Sequence, residues 1–81
     1  MDVLYFAWVR ERIGIARETV NTSAPTVNDL VDELRAREER YAAAFEDTSA
    51  LRVALDQELS EFDASLEGVR EVAFFPPMTG G

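Results

Sequence analysis

The residues best placed to do chemistry in this 81-residue sequence are its last two, Gly80 and Gly81, which follow Phe74-Phe75-Pro76-Pro77-Met78-Thr79. Glycine is used at about 7%, so a closing pair arises by chance in roughly 0.5% of chains. A terminal carboxylate on two residues without a Cβ is a slim stem that fits a narrow active site closed to any bulkier end. Such an end is either an ordinary frayed terminus or a reactive group offered to another protein. No side chain competes with it for the usual nucleophilic chemistry. The sequence has no cysteine and no histidine, which excludes a disulfide framework, the usual zinc sites, Ser-His and Cys-His nucleophile pairs, and sulfur carried on a thiol.

Sixteen acidic residues oppose eight basic ones, all of them arginine, for a formal net charge of -8. A chain so charged repels phosphate backbones, so no nucleic-acid partner is expected. The acidity serves solubility and is compatible with a basic protein partner. Because lysine is absent, an activated terminus finds no side-chain amine on its own chain. The longest apolar run, Val3 to Val9, is far short of the ~20 residues that cross a bilayer, and Met1-Asp2 is not a basic signal-peptide start. The expectation is a soluble, cytoplasmic protein without a membrane partner. A chain of this length forms one small domain, burying roughly 60% of its unfolded surface. It divides into a body over residues 1–75 and an extended tail over 76–81.

The elements that must position this tail read as strand, turn, strand, helix, strand, strand. Val3, Tyr5, Ala7 and Val9 alternate with Leu4, Phe6 and Trp8, which predicts a first strand over residues 2 to 9, apolar on both faces. Arg10 to Gly14 reads as a tight turn, and Arg17 to Asn21 as a returning hairpin partner. Thr26 with Asp29 resembles a helix N-cap, and Val27, Leu30, Val31 and Leu34 share one face of a helix over residues 27 to 39. Glu33 and Arg37 stand at i,i+4, a favourable ion-pair spacing. Tyr41 to Phe45 either continues that helix or forms a short one of its own. Leu51, Val53 and Leu55 alternate as a third strand, Asp56-Gln57-Glu58 turns the chain toward Leu59 and Phe62, and Arg70 to Phe75 is the last strand. Pro76-Pro77 ends it, since neither proline can donate to a ladder and each holds its predecessor extended.

Strands and one principal helix in this order make an α+β domain, a mixed sheet of four to five strands with the helix on one face. The opposite face should be polar, yet the pattern offers it Leu4, Phe6 and Trp8, with Phe75 or Phe74 according to register and Leu59 nearby. Either these aromatics form a second small core under the loops, or they are a surface kept for a protein partner.

The opening Val3-Leu4-Tyr5-Phe6-Ala7-Trp8-Val9-Arg10-Glu11, the helix after Pro25-Thr26-Val27, and the close Glu71-Val72-Ala73-Phe74-Phe75-Pro76-Pro77-Met78-Thr79-Gly80-Gly81 resemble the small subunit of molybdopterin synthase over essentially the whole chain. Two departures are visible. Leu55-Asp56-Gln57 stands where the family commonly has Val-Asn-Gln, and Glu67-Gly68-Val69-Arg70 replaces an Asp-Gly-Asp turn. The resemblance implies a ubiquitin-like β-grasp fold and a non-catalytic sulfur-carrier subunit that binds no cofactor or metal itself. Gly81 would be adenylated with ATP by an E1-like activating enzyme, converted to a thiocarboxylate and inserted into the large subunit of a heterotetramer. There it would give sulfur to the cyclic pterin precursor of the molybdenum cofactor. Pro76, Pro77, Met78, Thr79 and Gly80 would form the inserted tail, and Phe6, Arg10, Leu59 and Phe75 the partner-binding surface. A thiamine-type sulfur carrier and a ubiquitin-like protein modifier are the alternatives.

Overall fold

The computed structural model describes residues 1–77. Five strands, β1 (Asp2–Tyr5), β2 (Arg17–Thr19), β3 (Arg52–Leu55), β4 (Glu58–Ser60) and β5 (Glu71–Phe75), form one mixed sheet in the order β2-β1-β5-β3-β4. The central pair β1 and β5 runs parallel and the remaining pairings are antiparallel. Helices α1 (Ala7–Ile13), α2 (Val27–Arg37) and α3 (Glu39–Ala44) bury Val9, Ile13, Leu30, Leu34 and Tyr41 against Val3, Tyr5, Val53, Val72 and Phe74 of the sheet. Helices on one face of a mixed sheet whose two central strands are parallel make a ubiquitin-like β-grasp, as expected, with five strands and two helices beyond the principal one.

The main departure from the sequence reading lies in the first strand, which stops at Tyr5. Phe6 still donates its N–H to the Phe74 carbonyl at 3.1 Å, and Ala7, at φ +53°, then turns the chain out of the sheet. Val9 and Ile13, four residues apart, enter the core together from α1, a helical spacing masked by alternation through Val9. The supposed turn at Arg10 to Gly14 is therefore the end of a helix. Gly14, at φ +95°, donates to the Arg10 carbonyl at 2.7 Å, a left-handed stop that suits glycine. Arg40 Nη1 satisfies the neighbouring Ile13 carbonyl at 2.8 Å. Trp8 leaves the expected open face as a result and lies half-buried against the core, with the Arg12 guanidinium 4.8 Å from its ring centre.

Helix α2 starts as its cap predicts. Thr26 Oγ1 accepts from the Asp29 N–H at 3.2 Å and donates to Asp29 Oδ2 at 2.7 Å. It ends at Arg37 rather than residue 39, because Glu38 is extended (φ -152°, ψ 155°), and α3 is thus a separate helix. The anticipated Glu33–Arg37 pair is not among the ion pairs of the described residues. Arg37 instead lies 3.7 Å from Glu18 Oε1, and Glu33 accepts from the Thr22 hydroxyl. Glu18 also accepts from two buried phenols, Tyr5 at 2.7 Å and Tyr41 at 2.5 Å, tying β2 to β1 and α3. Burial, reinforced by the hydrogen bond to Glu18, pushes both phenols above their ordinary pKa.

The two departures from the family pattern keep workable turns. Asp56 and Gln57 have φ +50° and +70° between paired Leu55 and Glu58, a two-residue hairpin of the kind that favours Asn or Asp followed by Gly. Asp56 compensates by accepting through Oδ1 from the N–H groups of Arg70 at 3.0 Å and Glu71 at 2.9 Å. Gly68 supplies φ +76° in the turn closed by Val69 N–H donating to the Leu66 carbonyl at 3.1 Å.

Candidate functional site

Register decides what the uncovered face of the sheet presents. Leu4 pairs with Ala73, Ala73 with Ala54 and Ala54 with Leu59, so these four residues form one row across β1, β5, β3 and β4. The next row toward the tail contains Phe75 opposite Arg52, with Phe6 just beyond the end of β1. Alternation sends Val72 and Phe74 to the core and leaves Ala73 and Phe75 on the open side. The open question of Phe74 or Phe75 is thus settled: Phe74 is fully buried and Phe75 belongs to the outer face. Ala73 is 8% exposed but lies outside the core cluster. Its small side chain forms a floor between larger neighbours.

A shallow groove of about 460 Å³ lies over this floor, walled by Leu4, Phe6, Ala54, Phe75 and Pro76. Two large apolar side chains stand clear of the body, Phe6 at 47% exposed in the groove wall and Leu59 at 73% on β4 beyond it. Covering a side chain of this size is worth roughly 1.5–3 kcal/mol, so the face can supply the core of a protein interface. The sequence reading found Leu4, Phe6, Leu59 and Phe75. It missed Ala54 and Ala73, although the alternation around Val53 and Val72 carried the signal.

Of the four residues assigned by resemblance to the partner surface, Phe6 and Phe75 line the same groove, while Leu59 is in the adjacent row two strands away. Arg10 is exposed on α1, one helical turn beyond Phe6. Charge is unevenly spread over the face. Arg10 and Arg52 flank the end from which the tail departs. Asp2 and Glu71, paired across β1 and β5, mark the far end, where Arg17 lies 3.1 Å from Asp2. Pro76 and Pro77 are half-buried directly after β5. The remaining tail residues Met78, Thr79, Gly80 and Gly81 lie outside the described residues. Among the described residues no group of three or more carboxylates forms a metal site, and no helix is long and apolar enough to cross a membrane.

Comparisons with known proteins place these features in a family. The ThiS family model matches residues 3–81. The molybdopterin synthase sulfur carrier subunit of Escherichia coli (strain K12) is 46% identical over 81 residues, covering 100% of this chain and 99% of that protein. The protein of the same name from Haemophilus influenzae is 33% identical over the same span, again with 100% and 99% covered. Among solved structures, SAMP1 from Haloferax volcanii superposes with a TM-score of 0.77 at 23% identity, covering 100% of this chain and 98% of that one, a likeness of fold. By sequence along its whole length, this chain belongs to the ThiS family.

Proposed function

We propose that the chain is the sulfur carrier subunit of a molybdopterin synthase, working through the carboxylate of Gly81. The observation that carries this reading is 46% identity over the full length to a protein of that name. The Phe-Phe-Pro-Pro stem starting beside the apolar groove supports it. In the first step the Gly81 carboxylate attacks the α-phosphorus of ATP on an E1-like enzyme, and pyrophosphate leaves. Sulfide released by a sulfur donor then attacks the acyl carbon and AMP departs, so that a thiocarboxylate replaces the carboxylate. Splitting one hard substitution into two easier ones is the logic of covalent catalysis. The thiocarboxylate sulfur attacks a carbon of the cyclic pterin precursor in the large subunit, and an oxygen leaving group departs from that carbon. Water then cleaves the resulting thioester, so that the sulfur stays on the pterin and the carboxylate is restored.

The body of this chain contributes docking and reach. Phe6, Leu59 and Phe75 supply the apolar contact, and Arg10 a charged one beside it. Pro77 to Gly81 spans at most about 17 Å at ~3.4 Å per residue, enough to thread Pro77, Met78, Thr79 and Gly80 into a cleft. With neither histidine nor cysteine in the sequence, this chain brings the terminal carboxylate and, once sulfurated, the thiocarboxylate as its reacting group, and the partners bring any thiol or imidazole the steps require. ATP belongs to the activating enzyme and the pterin to the large subunit, in a cytoplasmic heterotetramer of two carriers and two large subunits.

The test is reconstitution with an activating enzyme, ATP and a sulfur donor, followed by mass spectrometry of the C-terminal peptide. Exchange of one oxygen for sulfur, and pterin sulfuration on adding the large subunit, are the expected results. An unchanged peptide overturns the reading. Thiazole formation in place of pterin sulfuration would assign the chain to the thiamine branch, and Gly81-dependent adducts on other proteins would make it a modifier.

A further inference from the structure

Arg52 occupies a position the docking reading does not explain. It faces Phe75 across β3 and β5 and so stands on the open face, one row nearer the tail than Ala54 and Leu59. It is exposed, forms no ion pair among the described residues, and spends one N–H on the adjacent Leu51 carbonyl at 3.1 Å. A second depression of about 390 Å³, lined by Arg52, Leu59, Ser60, Glu61 and Phe62, continues the face past β3 toward the sheet edge. A partner that covers both Phe75 and Leu59 must therefore pass over Arg52. Covering a guanidinium without a counter-charge is strongly unfavourable, whereas a carboxylate placed against its planar fork satisfies two donors at once.

Resting on the docking reading above, we propose that Arg52 is a specificity-determining residue, received by a carboxylate on the large subunit's docking surface. The face is polarised, with Arg52 at the tail end and Glu71 at the far end, where Asp2 is already paired with Arg17 at 3.1 Å. A partner surface with an apolar centre, a carboxylate toward the tail and a basic group at the far end meets this pattern in one sense only. Turned about, like charges oppose each other across the interface, which suppresses the wrong arrangement. Docking in the correct sense aims the tail at the catalytic cleft.

The experiment measures binding of the full chain to the large subunit from the same organism, across a salt series, for wild type, Arg52→Leu, Arg52→Lys and Phe75→Ala. If a carboxylate receives Arg52, Arg52→Leu weakens binding about 30-fold or more, Arg52→Lys recovers part of the loss, and the salt dependence flattens in the leucine variant. The opposite sign is expected without that carboxylate, since leucine enlarges the apolar face: unchanged or tighter binding by Arg52→Leu overturns the proposal. A loss that lysine does not recover, or an unaltered salt slope, assigns the effect to packing and also overturns it. Phe75→Ala separates the two levels of argument. If it binds like wild type, the docking face itself is wrong; if it loses affinity while Arg52→Leu does not, only the role of Arg52 falls. Thermal melts confirm that each variant is folded.

Discussion

Phe74 and Phe75 are adjacent, chemically identical and carried by the same strand, yet they belong to different regions of the molecule. Phe74 points into the helix-covered face, fully buried, with its ring 4.9 Å from that of Phe45 in an edge-on arrangement. Phe75 points the other way, partly exposed over the groove. The covered face carries Val3, Tyr5, Val53, Val72 and Phe74; the open one carries Leu4, Ala54, Ala73 and Phe75. Both are apolar; folding buries the first, and the docking proposed above would bury the second. Composition alone cannot tell them apart, and register does.

The largest expected effect comes from breaking this distinction at its sharpest point. Phe74→Ala empties a fully packed site and should lower stability by about 3–5 kcal/mol, read by urea unfolding. Phe75→Ala should lower it by less, about 1–2 kcal/mol, because that ring is partly open to water and lies outside the core cluster. Equal losses in the two variants would show that the faces are not energetically distinct.

How far the sequence reaches can be judged on the same strands. The α2 cap, its apolar stripe, β3 and the end of β5 before Pro76 were legible because each signal is local: a threonine with an aspartate three residues on, a 3.6-residue period, a proline pair. The first strand misled because Val3 to Val9 alternates without interruption. What ends β1 is Ala7 adopting φ +53°, a tertiary choice that no propensity reports. The site was half legible. Large apolar residues announced the open face, but its floor is made by Ala54 and Ala73, whose importance depends on what pairs with them. Arg52 looked like one charge among many until the pairing with Phe75 placed it.

A second comparison sets stability against association within the open face. Leu59, 73% exposed, should tolerate Leu59→Ala within about 0.5 kcal/mol of wild-type stability. Its affinity for the large subunit should nonetheless fall about tenfold, because association would cover most of an apolar side chain that folding leaves in water. Titration calorimetry beside thermal unfolding reads both quantities. A variant that loses stability and keeps its affinity would move Leu59 into the body of the fold.

A polar cluster on the covered side sharpens the contrast. Glu18 receives both Tyr5 and Tyr41, so Glu18→Ala strands two buried hydroxyls and should cost roughly 1–3 kcal/mol. Because the folded-state phenols are held above the ordinary tyrosine value of about 10, the unfolded chain loses its phenolic protons first. Stability is therefore fully present below about pH 10 and declines as pH rises beyond it, toward the raised folded-state pKa values. Tyr5→Phe should flatten part of that decline in thermal melts between neutral and strongly alkaline pH. An unchanged alkaline limb would dissociate the pair from the stability of the covered face.

The smallest effect tests the turn that joins the two edge-side strands beneath Leu59. Gln57 holds φ +70°, a conformation that costs a residue with a Cβ of order 1 kcal/mol and that glycine adopts freely. Gln57→Gly gives the Asp-Gly pair preferred in such hairpins, but it also makes the unfolded chain more flexible. The net gain should be about 0.5 kcal/mol, measured as a shift in urea midpoint without a change in slope. Asp56→Ala makes the opposite case, since it removes the acceptor for the Arg70 and Glu71 N–H groups while leaving a positive φ in place. If Gln57→Gly destabilised the chain, the glutamine side chain at the groove would have to contribute more than its backbone strain costs. The open face would then have a structural role that its exposure does not suggest.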